Sequence, residues 1–418
     1  VNAAPDVPAA DAKDERLEPR LQGALREMLT SNWLVTVAAL LLALVVSAVL
    51  IAAADEDVHT TAGYLFARPA DFLSAVWDSV WGAYVALFQG AIVDPTAATF
   101  TKAIRPLTET MTWSVPLILA GLGLSVGFRA GLFNIGAQGQ IILGAIFGGY
   151  IGFAFGLPPV LHLLLAIIAA ALGGAIWAGI AGFLKARTGA NEVIVTIMLN
   201  NIAVYLVAYL LTLTAFKRPG SNNPQSPAIE GTAVYPQLLG DGFRLHAGFL
   251  LAILATVFVW WLMDRSTLGF QFRAVGANPS AARTAGININ RIYLLVMLTS
   301  GALAGLAGSA QVLGTEKVLT AGVAASFGFD AITVALLGRS KPLGTFLAGL
   351  LFGALRAGGF AMQARTGTPI DIVLVVQSLV VLFIAAPPLV RAVFRLPSPG
   401  RRKQVSPTPA PVTKEAAA

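Results

Sequence analysis

The sequence predicts an all-α fold, a polytopic membrane helical bundle of about ten transmembrane helices with both termini cytosolic. Three observations predict it. Hydrophobic residues make up 56% of the 418 residues and charged residues only 12%, about half the charged share of a soluble domain. The charges lie between apolar runs of about 20 residues, the length at which a helix crosses hydrocarbon with its backbone bonded internally. Lysine and arginine crowd alternate connecting segments, as they do where those segments face the cytosol.

Residues 1–32 are polar, carry Pro5, Pro8 and Pro19, and read as a cytosolic N-terminal tail. The apolar run 33–54 is too long for a signal-peptide core and opens a transmembrane domain expected over 33–390. Between 55 and 105, Trp77, Trp81, Tyr84 and Phe88 interleave with Asp71 and Asp78. That is interfacial chemistry and predicts a short helix at the membrane surface rather than a span. Further spans are expected at 107–127, 134–156, 160–184, 192–214, 246–263, 292–313, 318–338, 343–361 and 370–388. Residues 391–418 are basic and proline-rich and read as a cytosolic C-terminal tail.

The basic residues support this layout. Segments expected inside hold Arg129, Lys185, Arg187, Arg265, Arg273, Arg283, Arg339 and Lys341 besides the tail cluster, whereas those outside hold fewer. The net charge of +7 therefore records orientation, not nucleic-acid binding. Small residues recur at spacing four in Gly144-Gly148-Gly152, Gly174-Ala178-Gly182, Gly301-Gly305-Ser309 and Gly349-Gly353-Ala357. Each ladder flattens one helix face for close packing.

Composition excludes several chemistries. The chain has no cysteine, and His59, His162 and His246 are scattered. No Gly-Lys pair exists to end a phosphate-binding loop, so the chain has no ATPase motif of that type. Gly123-Leu-Ser125-Val-Gly127 matches a nucleophile-elbow pattern but lies in an apolar helical run with no histidine near it.

Four segments carry candidate function. In F-R-A-G-L-F-N-I-G-A-Q-G-Q (128–140), Asn134, Gln138 and Gln140 bring amides to membrane depth. They either satisfy a capped helix start or line a polar path. In N-E-V-I-V-T-I-M-L-N-N (191–201), Asn191 suits an N-cap, while Asn200 and Asn201 sit deeper and need partners across an interface or in a cavity. In the cytosolic loop 264–291, Asn278, Pro279 and Gly286 specify the start and stop of a short helix from which Arg283 projects. In 318–338, Asp330 sits in an interrupted apolar segment, and Arg356 falls within the next run. Intramembrane charges are functional candidates, and these two either pair, face a cavity, or snorkel.

Together these motifs, with G-A-N-P-S-A-A-R-T-A-G-I (276–287) and G-F-D-A-I-T-V-A-L-L-G (328–338), resemble one family over about residues 105–385. It is the branched-chain amino acid/ribose-type group of ATP-binding-cassette (ABC) importer permeases, most closely its nucleoside-uptake branch. Where Gln138 stands, relatives of that family commonly carry glutamate. The resemblance implies a multi-pass protein of a bacterial plasma membrane, without enzymatic activity or cofactor of its own. ATP and Mg would be bound by partner ATPase subunits. A second permease subunit, identical or related, and an extracytoplasmic solute-binding lipoprotein would complete the importer. Gly276, Asn278, Pro279, Ala282, Arg283 and Gly286 would form the ATPase-coupling loop. Asn134, Gln138, Gln140, Asn200, Asn201, Asp330 and Arg356 are the candidate pathway residues. Nucleosides are the expected cargo, with simple sugars as the alternative. An ion-coupled secondary transporter is the competing class.

Overall fold

The computed structural model describes residues 32–240 and 242–395, so the tail expectations for 1–31 and 396–418 lie outside the described residues. Contacts among the described residues divide the chain into two units, one over residues 46–381 and one over residues 32–45 with 382–395. In chain order the helices are α1 (Asn32–Ala54), α2 (Glu56–Ala62), α3 (Pro69–Ala91), α4 (Phe100–Arg129) and α5 (Ala137–Ala154). Then come α6 (Pro159–Thr188), α7 (Glu192–Leu210), α8 (Gly248–Arg265), α9 (Thr267–Ala277) and α10 (Pro279–Thr284). The last are α11 (Ile289–Ser309), α12 (Phe327–Leu337), α13 (Pro342–Thr366), α14 (Ile370–Ala385) and α15 (Pro387–Val393). α11 runs on into a wider π turn, Ala310–Thr315.

Eight of the described helices are long and apolar enough to cross a membrane: α1, α4, α5, α6, α7, α8, α11 with its π turn, and α13. Two expected spans fall short. Residues 318–326 form turns, and α12 adds only 11 residues. Those residues reach roughly 16 Å, about half the hydrocarbon thickness. The 16 residues of α14 reach roughly 24 Å. The expected short surface helix is instead the 23-residue α3, packed along α13. A Cβ on Gly358 would overlap the Leu87 carbonyl, so the two backbones touch. Trp77 and Trp81 do face outward from α3, stacked 5.7 Å apart.

α4 is the central helix of the 46–381 unit. Every residue from Ser114 to Gly127 is buried, as an all-round apolar helix requires. The small-residue ladders meet one another: a Cβ on Gly305 would overlap the Ala170 carbonyl, and one on Gly301 would overlap that of Gly174. α11 thus lies directly on α6, backbone to backbone, where neither helix offers a bulky side chain.

The long non-helical excursion after α7 folds back onto the π turn. Tyr235 N–H donates to the Leu313 carbonyl (3.1 Å), and the Tyr235 hydroxyl lies 2.9 Å from Ser309 Oγ. His246 stacks on Tyr235 and its Nδ1 accepts the Gly248 N–H at 3.1 Å. Burial, with Arg244 and Lys317 nearby, holds the imidazole down to about 4. An unfolded histidine titrates near 6.5, so the unfolded chain takes up a proton first and stability falls as pH drops through that window. Between pH 7.5 and 5 this one group is expected to remove about 2 kcal/mol. Thermal melts in detergent at both pH values check it: the wild type should lose more than His246→Gln, and equal losses would contradict it.

Candidate functional site

The site is built on two interruptions in the helical chain. The first is the turn 130–136 between α4 and α5, and the second is the run of turns 316–326 before α12. An interrupted backbone at membrane depth leaves N–H and C=O groups that need partners, and the predicted amides supply them.

Asn134 is fully buried and anchors the first interruption. Its Oδ1 accepts the Gly136 N–H (2.8 Å), and its Nδ2 donates to Ser300 Oγ on α11 (3.0 Å). Asn134 and Gln140 also form a reciprocal amide pair at 3.1 and 3.0 Å. Asn200 on α7 donates to the Ile135 carbonyl and accepts the Gly139 N–H, both at 2.9 Å. These three amides are bonded within the chain and fix the start of α5 against α7 and α11. Asn201 stands apart, exposed on α7, its Nδ2 donating back to the Ile197 carbonyl at 3.1 Å.

Gln138 joins the two interruptions. Its Nε2 donates to the Ala325 carbonyl (2.6 Å), and its Oε1 accepts the Gly328 N–H (2.9 Å). Both ends of an amide are needed here. A carboxylate could accept from Gly328 but would confront the Ala325 carbonyl oxygen. Ala325 has φ 38°, a left-handed conformation costly for a residue with a Cβ. The Gln138 bonds brace that turn, a physical reason for glutamine at this position.

Beyond this turn lies a salt bridge. Arg356 donates to Asp330 Oδ2 (3.0 Å) and to Ser326 Oγ (2.9 Å), and Ser326 in turn donates to Asp330 Oδ2 (2.8 Å). Of the alternatives open from sequence, the structure shows the pair. Aromatic rings enclose the guanidinium, 4.9 Å from the Phe327 centroid and 5.2 Å from that of Trp113. Trp113 also stacks on Phe360 at 5.3 Å. Sequence reasoning missed these rings, because a tryptophan or phenylalanine inside an apolar run looks like any core residue.

The segment 264–291 lies at the opposite end of α4 from Lys102 and Arg105. Asn278 Oδ1 accepts the Ala281 N–H at 3.1 Å and Pro279 opens α10, as its sequence specifies. Gly286 has φ +82°, the left-handed stop that glycine adopts freely. Ala282 is buried and Arg283 exposed. The sequence did not reveal α9, which Ser266 caps by accepting the Gly269 N–H at 2.9 Å. α9 touches the first interruption directly: a Cβ on Gly276 would overlap the Arg129 carbonyl. Arg129 also bonds Asp264 at the end of α8, at 3.1 Å. α9 thus abuts the turn that Asn134 holds.

Comparison with known proteins follows the same segments. Residues 107–385 match the family described as branched-chain amino acid transport system / permease component. The chain is 39% identical over 286 residues to the guanosine ABC transporter permease protein NupP of Bacillus subtilis, covering 68% of this chain and 82% of that one. It is 40% identical over 287 residues to the glucose ABC transporter permease protein TsgB13 of Haloferax volcanii, covering 66% and 75%. The nucleoside ABC transporter permease protein NupB of Lactococcus lactis is 34% identical over 317 residues, covering 74% and 84%. No solved structure matches the chain. The helical bundle and the ordered motifs belong with this match over two thirds of the sequence: the chain is a member of the ABC importer permease family, a multi-pass, non-enzymatic membrane subunit.

Proposed function

We propose that this permease conducts nucleosides into the cell, driven by ATP hydrolysed on a partner subunit. Named relatives divide between nucleoside and glucose transport at similar identity, so the cargo rests on the site. The observation that carries the reading is the Asp330–Arg356 pair set against Trp113 and Phe327. Charged groups beside flat rings suit a solute with a planar base and a hydroxylated sugar. In this reading Asp330 and Arg356 line the pathway and Gln138 holds its wall. Asn134, Gln140 and Asn200 brace that wall from behind, and Asn201 faces a neighbouring chain or lipid.

The α9–α10 end, rich in arginine, faces the cytosol with both termini. An ATPase subunit docks on Gly276–Gly286, and a second permease subunit completes the pathway. A solute-binding lipoprotein delivers cargo at the other end, in a bacterial plasma membrane. Uptake of labelled guanosine and glucose by cells lacking this chain tests the cargo. Guanosine uptake should fall at least tenfold with glucose uptake unchanged, and loss of glucose uptake alone would sink the nucleoside reading.

A further inference from the structure

At the end of the 46–381 unit opposite α10, a cleft of about 520 Å³ opens between α3, α4 and α13. Its walls combine two kinds of surface. One is aromatic: Trp113 and Phe360 stack with their planes 28° apart, and Phe360 is 42% exposed. The other is charged and held in place. Glu109 is gripped by Arg244 at 3.2 Å and by Arg105 at 3.9 Å, and Arg365 bonds Asp94 at 2.5 Å. Lys102 also lines the cleft, so four cationic side chains face two carboxylates there. Neither carboxylate lacks a cation, and the surplus N–H donors point to a ligand rich in acceptors.

We infer that this cleft is a binding station for the planar, acceptor-rich base of the solute before it enters the pathway, an inference that rests on the nucleoside reading above. The base stacks on the exposed Phe360 ring beside Trp113. Its carbonyl and ring-nitrogen acceptors meet the guanidinium donors, and its sugar hydroxyls meet Glu109. Position supports the assignment. Trp113 belongs to both places, lining the cleft and lying 5.2 Å from the Arg356 guanidinium. A solute leaving the cleft past Trp113 meets the Asp330–Arg356 pair next. A volume of about 520 Å³ also exceeds what one nucleoside fills and lies within the usual range for small-molecule sites.

The test uses the assembled transporter in proteoliposomes and measures KM and kcat for ATP-driven uptake of guanosine and of glucose. Removing one stacking partner weakens base binding by roughly five- to a hundredfold in known cases. Phe360→Leu is expected to raise the guanosine KM about tenfold with kcat little changed, whereas Trp113→Leu, which also touches Arg356, is expected to raise KM and lower kcat together. Phe360→Leu changes an exposed ring, so it keeps the test open should Trp113→Leu fail to fold. Guanosine uptake with an unaltered KM in Phe360→Leu would overturn the cleft and leave the nucleoside reading standing. Uptake of glucose but not guanosine by the wild type would overturn both.

Discussion

Replacing Arg356 by leucine is expected to destabilise the purified chain by about 3 kcal/mol and to abolish uptake. The change strands Asp330 beside Phe327, in a setting where only Ser326 still bonds its carboxylate. Asp330→Leu should cost less, because Arg356 keeps its bond to Ser326 and its two aromatic neighbours. The double variant Asp330→Leu with Arg356→Leu should recover most of the lost stability, since an apolar pair avoids desolvating two charges. Melting of all four proteins in detergent closes the cycle. Uptake then separates structure from function. A stable double variant that still transports would remove the pair from the pathway, whereas a stable one that does not would keep it there.

Arg283→Glu should leave the chain folded and inserted yet weaken ATPase docking at least tenfold. Arg283 is exposed on α10 and makes no salt bridge among the described residues. A surface change of that kind usually moves stability by less than about 0.5 kcal/mol. At an interface, by contrast, placing like charges together costs several kcal/mol. The helix itself is secured by the Asn278 cap and buried Ala282, neither of which the substitution touches. Co-purification of the ATPase with the tagged variant reads the outcome directly. Recovery equal to wild type would take Arg283 out of the coupling surface.

Much of this arrangement was legible in the sequence, and the gaps have physical causes. Local rules located α10, because a cap, a first-position proline and a stopping glycine act within a few residues. The ladders predicted close packing, and α6 and α11 meet on them. Asn134 and Gln140 were visible as amides at membrane depth, but periodicity says nothing about two amides bonding each other. Gln138 is harder still, since its partners Ala325 and Gly328 are remote in sequence. Residues 318–326 looked like part of a span because turns packed inside protein can be as apolar as a lipid-crossing helix. α3 looked short because its aspartates and tryptophans suggested a surface, whereas its length follows from packing on α13. Trp113 carried no signal at all; only its place beside Arg356 and Phe360 marks it.

Nucleoside import is the proposed role of this chain. Its most direct test purifies the chain with its co-isolating ATPase, permease and binding lipoprotein, reconstitutes them, and supplies ATP with labelled guanosine or glucose. ATP-dependent accumulation of guanosine, not competed by excess glucose, is the expected result. ATP-dependent accumulation of glucose that excess guanosine leaves untouched would contradict it.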